Sequence, residues 1–171
     1  MTKILTERMA NRVMVFSDVA RSLLTITSIL LLAACGPVWR VPGGRLSGTV
    51  VTDAVADWSF TDEIQTIAVE VRPSFPHSVT TWCFAHGGEL YVPAGGPAAK
   101  KWPEWVRQNP SVRLEIEGKI YPGRFSRIID RTEKRRLLGS LAAKYRLTGL
   151  LATDDLPDVA LYRFEHTGSQ A

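Results

Sequence analysis

Residues that could bind an anion lie together near the middle of the sequence. The small residues Ala94, Gly95 and Gly96 would let backbone N–H groups approach a negatively charged ligand closely. Lys100 and Lys101 follow, and each ammonium group can donate charge-assisted hydrogen bonds to an anion. The segment therefore predicts an anion-binding loop. The alternative is that residues 93–99 form a flexible turn and that the two lysines are only solvated.

Other kinds of catalytic site find no support in the sequence. It contains no Cys/His spacing typical of zinc sites, no phosphate loop, no nucleophile elbow and no metalloprotease motif. His77, His86 and His166 are widely separated, and each is expected to be a surface or hydrogen-bonded histidine rather than a metal ligand. Cys83 lies in an apolar run, which is typical of a buried, unreactive thiol. We therefore expect no metal site.

The first 34 residues are typical of an export signal. A basic stretch that ends at Arg21 precedes an apolar stretch over residues 23–34, which is too short to span a membrane. The segment closes on residues 32–35, Leu-Ala-Ala-Cys, which resembles the cleavage motif of bacterial lipoproteins. In that motif small residues admit the peptidase, and the thiol of Cys35 would carry the lipid. The true start is open among Met1, Met9 and Met14.

An acylated Cys35 would place the protein in the cell envelope, with membrane lipid as a partner. Gly36 rather than Asp follows the cysteine, and by resemblance to lipoprotein sorting this favours the periplasmic face of the outer membrane in a two-membrane bacterium. Each buried methylene of an acyl chain contributes about 0.8 kcal/mol, so several chains make a lasting anchor. The alternative is an ordinary signal peptide followed by a chance cysteine.

The remaining chain has the size of one domain. Removing 34 of the 171 residues leaves 137, within the usual range of about 100–200 residues per domain. Residues 35–48 contain several prolines and glycines and are expected to form a tether, so the domain spans residues 49–171. Of 21 basic and 17 acidic residues, four and two lie in the leader, which leaves a net charge of +2. This small charge predicts no nucleic-acid partner.

Alternating hydrophobicity predicts a mainly β domain with two helices. Strand patterns cover residues 64–72, 78–85, 89–92, 112–117, 120–129 and 159–164, and residues 86–88, His-Gly-Gly, form a hairpin signal. Helices are predicted over residues 103–108 and 132–145, the second with Asp130 or Thr132 as its N-cap. Many short strands with two helices favour a small antiparallel barrel with peripheral helices, of the α+β class.

Particular segments resemble the split β-barrel superfamily that binds FMN or deazaflavin. This superfamily includes pyridoxamine-phosphate oxidase-like proteins and deazaflavin-dependent nitroreductases. Residues 87–96 and 100–112 are similar to its core, in which a strand and a small-residue loop precede a Trp-bearing short helix that ends in Asn-Pro. Shorter likenesses lie at residues 58–60, 70–73, 144–145 and 162–164. The resemblance implies a small antiparallel split β-barrel and a homodimer with the cofactor at the subunit interface.

The resemblance also implies which residues would hold the cofactor. Family members bind its phosphate through basic and hydroxyl side chains of the strands and of the loop before the short helix. The matching positions here are Ser78, Thr80, Ala94, Gly95, Gly96, Lys100 and Lys101, with Trp105 against the ring. A haem-binding relative would instead need a histidine as axial ligand. No catalytic residue is indicated.

Two functions stay open at this point. One is a membrane-anchored lipoprotein whose barrel binds FMN or a deazaflavin, which leaves an oxidoreductase activity open. The other is a non-catalytic envelope lipoprotein that keeps the barrel without a cofactor. Residues 78–82, Ser-Val-Thr-Thr-Trp, lack the strand arginine expected of pyridoxamine-phosphate oxidases, and the leader lacks a twin-arginine pair. Both features favour the second function.

Overall fold

The computed structural model describes residues 43–168, in which eight strands and two helices form the domain. The export signal, Cys35 and residues 35–42 of the predicted tether lie outside these residues. The strands are β1 Thr49–Val50, β2 Ile67–Val71, β3 His77–Thr81, β4 Phe84–His86, β5 Glu89–Gly95, β6 Ser111–Ile116, β7 Lys119–Arg127 and β8 Val159–His166. The helices are α1 Lys101–Gln108 and α2 Arg131–Tyr145. Short 3₁₀ turns lie at Ser59–Glu63 and Pro97–Ala99.

The strands form one curled sheet in the order β3-β2-β6-β7-β8-β5-β4. Every pair along this order is antiparallel, and β1 adds to β7 in parallel. The curl brings β3 towards β5, where Thr81 Oγ1 donates to the carbonyl of Pro93 over 3.2 Å. The predicted fold class, a mainly β, α+β split barrel with two helices, is confirmed. Within residues 43–168 no helix has the length and hydrophobicity needed to cross a membrane.

A tight hairpin fixes the register between β4 and β5. Between β4 and β5, Gly87 and Gly88 adopt φ values of 60° and 81°, and His86 pairs with Glu89. Positive φ at both central residues is the requirement of the hairpin turn whose twist matches that of the strands. The hairpin predicted from the His-Gly-Gly signal is therefore confirmed.

Two hydrophobic clusters lie on opposite faces of the sheet. The first fills the barrel and includes Val69, Leu114 and Phe164. The second lies outside the barrel, where Leu137, Leu138 and Leu141 of α2 pack on the sheet. Helix α2 begins where Asp130 accepts a hydrogen bond of 2.7 Å from the Glu133 N–H, so Asp130 and not Thr132 is the N-cap. Helix α2 therefore covers an apolar face that the barrel itself leaves outside.

The strand predicted over residues 78–85 is two strands rather than one. It is interrupted at Trp82 and Cys83, which belong to neither β3 nor β4. The Cys83 N–H donates to Tyr145 Oη over 3.1 Å, and the Cys83 carbonyl accepts from Lys144 Nζ over 2.6 Å. Side chains of α2 thus take the backbone groups that a continuous strand would use. That competition explains the break. The side-chain alternation continues across it, because Val79, Cys83 and Ala85 pack in the barrel cluster and Phe84 packs in the outer cluster.

Residues just before β1 are hydrogen-bonded to the outer face of the sheet. The Leu46 N–H donates to Glu70 Oε2 over 2.5 Å, while its carbonyl accepts from Arg113 over 3.3 Å. Arg113 also contacts the Glu70 carboxylate at 3.0 Å. The last residues of the predicted tether are therefore held against β2 and β6.

Candidate functional site

A cleft lies where β3 approaches β5 and α2 covers the opening. Its volume is about 420 Å³, within the range of about 300–1,000 Å³ common for small-molecule sites. The lining combines threonine hydroxyls, one indole, one ammonium group and aliphatic side chains: Thr66, Thr80, Thr81, Trp82, Pro93, Gly95, Lys100, Leu141, Leu147, Leu150 and Val159. We refer to these residues as the cleft.

The aromatic wall of the cleft is held from behind by α2. Trp82 is 42% exposed, although it is a large hydrophobic residue. Its ring stacks on Tyr145, with 4.4 Å between centroids and 12° between planes. The single proton of the Tyr145 hydroxyl is shared between two carbonyls, those of Gln65 at 2.7 Å and Cys83 at 2.8 Å. Burial raises the pKa of Tyr145 to about 12, so the phenol stays protonated and the indole is held in place.

Lys144 fastens the same part of α2 to the strand break. Its ammonium group donates to three backbone carbonyls, those of Thr61 at 2.7 Å, Ile64 at 2.8 Å and Cys83 at 2.6 Å. Three such contacts satisfy the donors of the ammonium group. Lys144 therefore stabilises the position of α2 against the strand break, and it does not line the cleft.

Several polar groups of the cleft have no hydrogen bond or ion pair within the described residues. Among the described residues, the hydroxyls of Thr66 and Thr80 make no hydrogen bond, and Lys100 makes no ion pair. Thr81 donates to Pro93 but keeps its oxygen lone pairs. The cleft therefore offers one positive charge, hydroxyl donors and a flat aromatic surface. This combination suits a planar ligand that carries an anionic group.

Three of the eight residues predicted to hold a cofactor lie together in the cleft: Thr80, Gly95 and Lys100. Gly95 ends β5 and is exposed, so no side chain separates a ligand from the backbone there. Thr80 is exposed on β3. The strand and the loop predicted to cooperate therefore do meet.

Ser78, Ala94 and Trp105 lie away from the cleft. Ser78 is buried, and its Oγ accepts from the Gly43 N–H over 3.2 Å. Ala94 is 1% exposed and points into the barrel core. Trp105 packs its ring against His77 at 5.0 Å, with the Arg72 guanidinium 4.8 Å from its centroid. None of the three side chains lines the cleft, so a direct contact with a ligand in it would require a different arrangement.

The small residues of the loop before α1 predict backbone N–H groups that are free to bind an anion, but N–H groups of this loop are already hydrogen-bonded within the protein. The Gly96 N–H donates to the Asp158 carbonyl over 2.8 Å, and those of Ala99 and Lys100 donate back into the 3₁₀ turn. Gly96 itself is left-handed, with φ 54°. Lys101 begins α1 and does not line the cleft. Charge at this loop would therefore come from the Lys100 side chain.

Sequence reasoning did not place Trp82 and Tyr145 in the candidate site. Trp82 shares a short segment with Thr80, so its type and position were visible. The stack on Tyr145 depends on how α2 docks, which the sequence does not reveal over a separation of 63 residues. A tryptophan directly after two threonines at the end of a predicted strand is the signal that could have indicated it.

Neither a metal site nor a reactive thiol is present in residues 43–168. No group of three or more His, Cys, Asp and Glu side chains there could hold a metal ion. Cys83 is fully buried, and burial raises its pKa to about 11 despite the opposing charge of Lys144. The thiol is therefore protonated at neutral pH, as expected of an unreactive cysteine.

No family model and no curated protein sequence matches this chain. Solved structures do match. The conserved protein Rv2991 from Mycobacterium tuberculosis superposes with a TM-score of 0.52 at 16% identity, over 71% of this chain and 86% of that one. A pyridoxamine 5′-phosphate oxidase-like protein from Listeria innocua matches with a TM-score of 0.47 at 21% identity, over 61% and 86%.

An F420-H2 dependent reductase matches with a TM-score of 0.47 at 16% identity, over 66% of this chain and 99% of that one. At such low sequence identities, structural similarity shows the fold alone. Of these three structures, only Rv2991 has a TM-score above 0.5. The chain therefore shares its architecture with Rv2991, and what its own cleft holds has to be inferred from the residues that line it.

Proposed function

We propose that the cleft binds FMN or a deazaflavin and that the protein is an oxidoreductase of the flavin or deazaflavin type. The observation that carries the proposal is the exposed Trp82 indole, stacked on Tyr145 and facing the same cavity as Lys100 and Thr80. A flavin needs both a flat surface for its ring and a cation for its phosphate. The cleft supplies each of them in a volume of about 420 Å³.

The lining residues fit such a cofactor in character. Lys100 and Thr80 would hold the phosphate, since an ammonium group and a hydroxyl both donate to anions. Trp82 would contact the ring on one side, and Leu147 and Leu150 of the cleft would exclude water from it. Gly95 leaves the backbone open to the ligand at the end of β5. Ser78 and Trp105, at the other end of β3, have no part in this assignment.

The bound cofactor would supply hydride or electron transfer, and the chain would supply binding, orientation and electrostatics. Lys100 places a positive charge at the cleft, which would attract the phosphate of the bound cofactor. Tyr145 and Lys144 hold Trp82 by hydrogen bonds to the strand break. Because both groups contact the backbone rather than the cavity, they are positioning residues.

A titration with FMN, riboflavin and a deazaflavin tests the proposal. FMN and the deazaflavin should perturb Trp fluorescence saturably. Riboflavin should bind about tenfold more weakly, because it lacks the phosphate that Lys100 would contact, and one charge-assisted hydrogen bond contributes about 1.5–3 kcal/mol. If neither FMN nor the deazaflavin binds, the function becomes that of a non-catalytic envelope lipoprotein.

We further propose that the domain is tethered to the cell envelope through acylated Cys35. The support is the Leu-Ala-Ala-Cys motif after an apolar stretch, with Gly36 favouring the outer membrane. Cys35→Ser should leave the protein uncleaved or soluble, because the thioether is the anchor. Membrane fractionation and mass spectrometry of the N-terminus would check this. Unchanged fractionation of the variant would contradict the anchor.

A homodimer is the third part of the proposal, and it rests on the resemblance to the split-barrel superfamily. In that superfamily the cofactor lies at the subunit interface, so a second copy would close the open side of the cleft. Light scattering on the purified protein measures this directly. A monomer that binds FMN would separate the cofactor proposal from the dimer proposal.

A further inference from the structure

A second cavity lies on the other side of Lys100, between α1 and the barrel. Its volume is about 640 Å³, larger than the cleft. The 3₁₀ turn, α1, β7 and β8 contribute its lining: Pro97, Ala98, Lys100, Pro103, Glu104, Val106, Arg107, Pro110, Phe125, Arg127 and Tyr162. We refer to this cavity as the basic pocket. Lys100 is the one residue that it shares with the cleft.

The floor of the basic pocket is aromatic. Phe125 and Tyr162 have ring centroids 5.5 Å apart, and the buried Trp102 lies 5.4 Å from Tyr162. Both floor residues belong to adjacent strands of the barrel, and they are 4% and 3% exposed. The little surface they expose is therefore fixed by the core, and it forms an apolar base for the pocket.

The charges around the basic pocket do not cancel. Glu104 is engaged by Arg107, with Oε1 2.6 Å from Nη2 and Oε2 2.8 Å from Nε, and these hydrogen bonds lower its pKa to about 2. That pair is neutral at physiological pH. Lys100 and Arg127 have no ion pair among residues 43–168, so two positive charges remain without an acidic partner.

Tyr162 adds a hydroxyl donor to these cations. Its oxygen makes no hydrogen bond in the described part of the chain. Burial raises the pKa of Tyr162, while the charge of Arg127 acts on the same hydroxyl in the opposite direction. The phenol therefore stays protonated and close enough to the guanidinium to feel its charge. A phenol O–H beside a guanidinium is a pair of donors, which suits an anionic oxygen.

We propose that the basic pocket is a second binding site, which takes a ring-bearing organic anion such as an aromatic carboxylate. The anionic group binds at Lys100 and Arg127, and the ring rests on Phe125 and Tyr162. This inference goes beyond the proposed function, because it needs no flavin and stands even if the cleft binds none. If the cleft does bind a flavin, Lys100 borders both ligands.

Titration of the flavin-free full-length protein with 2-naphthoate tests the pocket, with 2-naphthamide and acetate as controls. Naphthoate should bind saturably with a dissociation constant of about 1 mM, as expected for a ligand of this size. The amide, which keeps the ring without the charge, and acetate, which keeps the charge without the ring, should each bind at least about tenfold more weakly. Equal binding of naphthoate and naphthamide, or no binding of naphthoate, would overturn the proposal.

Paired variants on β7 locate the site. Arg127→Gln should weaken naphthoate binding about tenfold, because one charge-assisted contact is lost. Arg124→Gln is the matched control: Arg124 is exposed on the same strand, contacts Ser111 and does not line the pocket. An equal loss in the two variants would mean general charge attraction and would contradict the site.

A third variant separates this proposal from the flavin proposal. Thr80 lines the cleft and not the basic pocket. Thr80→Val should therefore weaken FMN binding and leave naphthoate binding unchanged, whereas Arg127→Gln should do the reverse. If Thr80→Val weakens naphthoate binding as much as FMN binding, both ligands occupy the cleft and the second site does not exist.

Discussion

The two ends of β3 differ in whether their polar side chains have hydrogen-bond partners within the protein. At the start of the strand, Ser78 accepts from Gly43, and the neighbouring Glu70 is bound by Arg113 and Leu46. At its end, Thr80 faces a cavity and its hydroxyl has no partner among the described residues. Ser78 and Thr80 have similar chemistry and lie two residues apart. The partner, rather than the residue type, therefore separates scaffold from candidate site.

The start of β3, where the polar groups are paired, is the closed end of the strand, and its other end is the open end. Removing the buried Glu70 carboxylate at the closed end should have the largest effect on stability. The Glu70 side chain is 4% exposed and pairs with Arg113, which is 26% exposed. Glu70→Gln should lower the free energy of unfolding by about 2 kcal/mol, less than for a fully buried pair because Arg113 reaches solvent. Urea denaturation measures this, and FMN affinity should not change.

Glu117→Gln is the control for that experiment. Glu117 is exposed in the β6–β7 turn, and such surface changes stay within about 0.5 kcal/mol. Equal stability of the Glu70 and Glu117 variants would mean that the closed end of β3 is not held by its ion pair.

Two tryptophans allow the two ends of β3 to be compared directly. Trp82 follows the strand and is exposed, and Trp105 of α1 is half-buried next to the start of the strand. Trp82 lines the cleft, whereas Trp105 packs against His77 and Arg72 at the closed end. Trp82→Ala should weaken FMN binding about tenfold, since an aromatic stack contributes about 0.5–1.5 kcal/mol beyond the area it buries. Trp105→Ala should leave FMN affinity unchanged and lower stability. The reverse pattern, measured by flavin titration and thermal unfolding, would move the ring site to the helix that the sequence resemblance indicates.

Cys83 should show the smallest effect, although it lies beside the open end. With a pKa of about 11, roughly one thiol in a thousand is ionised at pH 8. Alkylation by iodoacetamide at pH 8 should therefore be slow in the folded protein and complete in urea. Fast alkylation of the folded protein would show that the strand break opens, and the wall formed by Trp82 would then be mobile.

The sequence was sufficient wherever a local rule decides the structure. The paired glycines 87 and 88 require the hairpin, and Asp130 caps α2 because its side chain reaches the free Glu133 N–H. Thr80, Gly95 and Lys100, which the resemblance links through a strand and a loop, line one cavity, and their role in binding stays a prediction. In each of these cases the relevant atoms lie within a few residues or within one motif.

The sequence was insufficient wherever a distant element competes for backbone groups. The break at Trp82 and Cys83 is made by Lys144 and Tyr145, about 60 residues later. The loop N–H of Gly96 is taken by Asp158 in the same way. Neither contact follows from periodicity or composition, so the strand was predicted to be continuous and the loop to be open to an anion.

The lysine pair gives the most direct test of the central claim, that the cleft holds a phosphate-bearing flavin. Lys100 lines the cleft and Lys101 does not, although they are neighbours of the same type and both are exposed. The measurement is the FMN dissociation constant of Lys100→Ala and of Lys101→Ala, each with its unfolding free energy. The account predicts about tenfold weaker binding for Lys100→Ala alone, with both stabilities within about 0.5 kcal/mol of the original. Equal dissociation constants for the two variants, or no FMN binding by the unaltered protein, would contradict it.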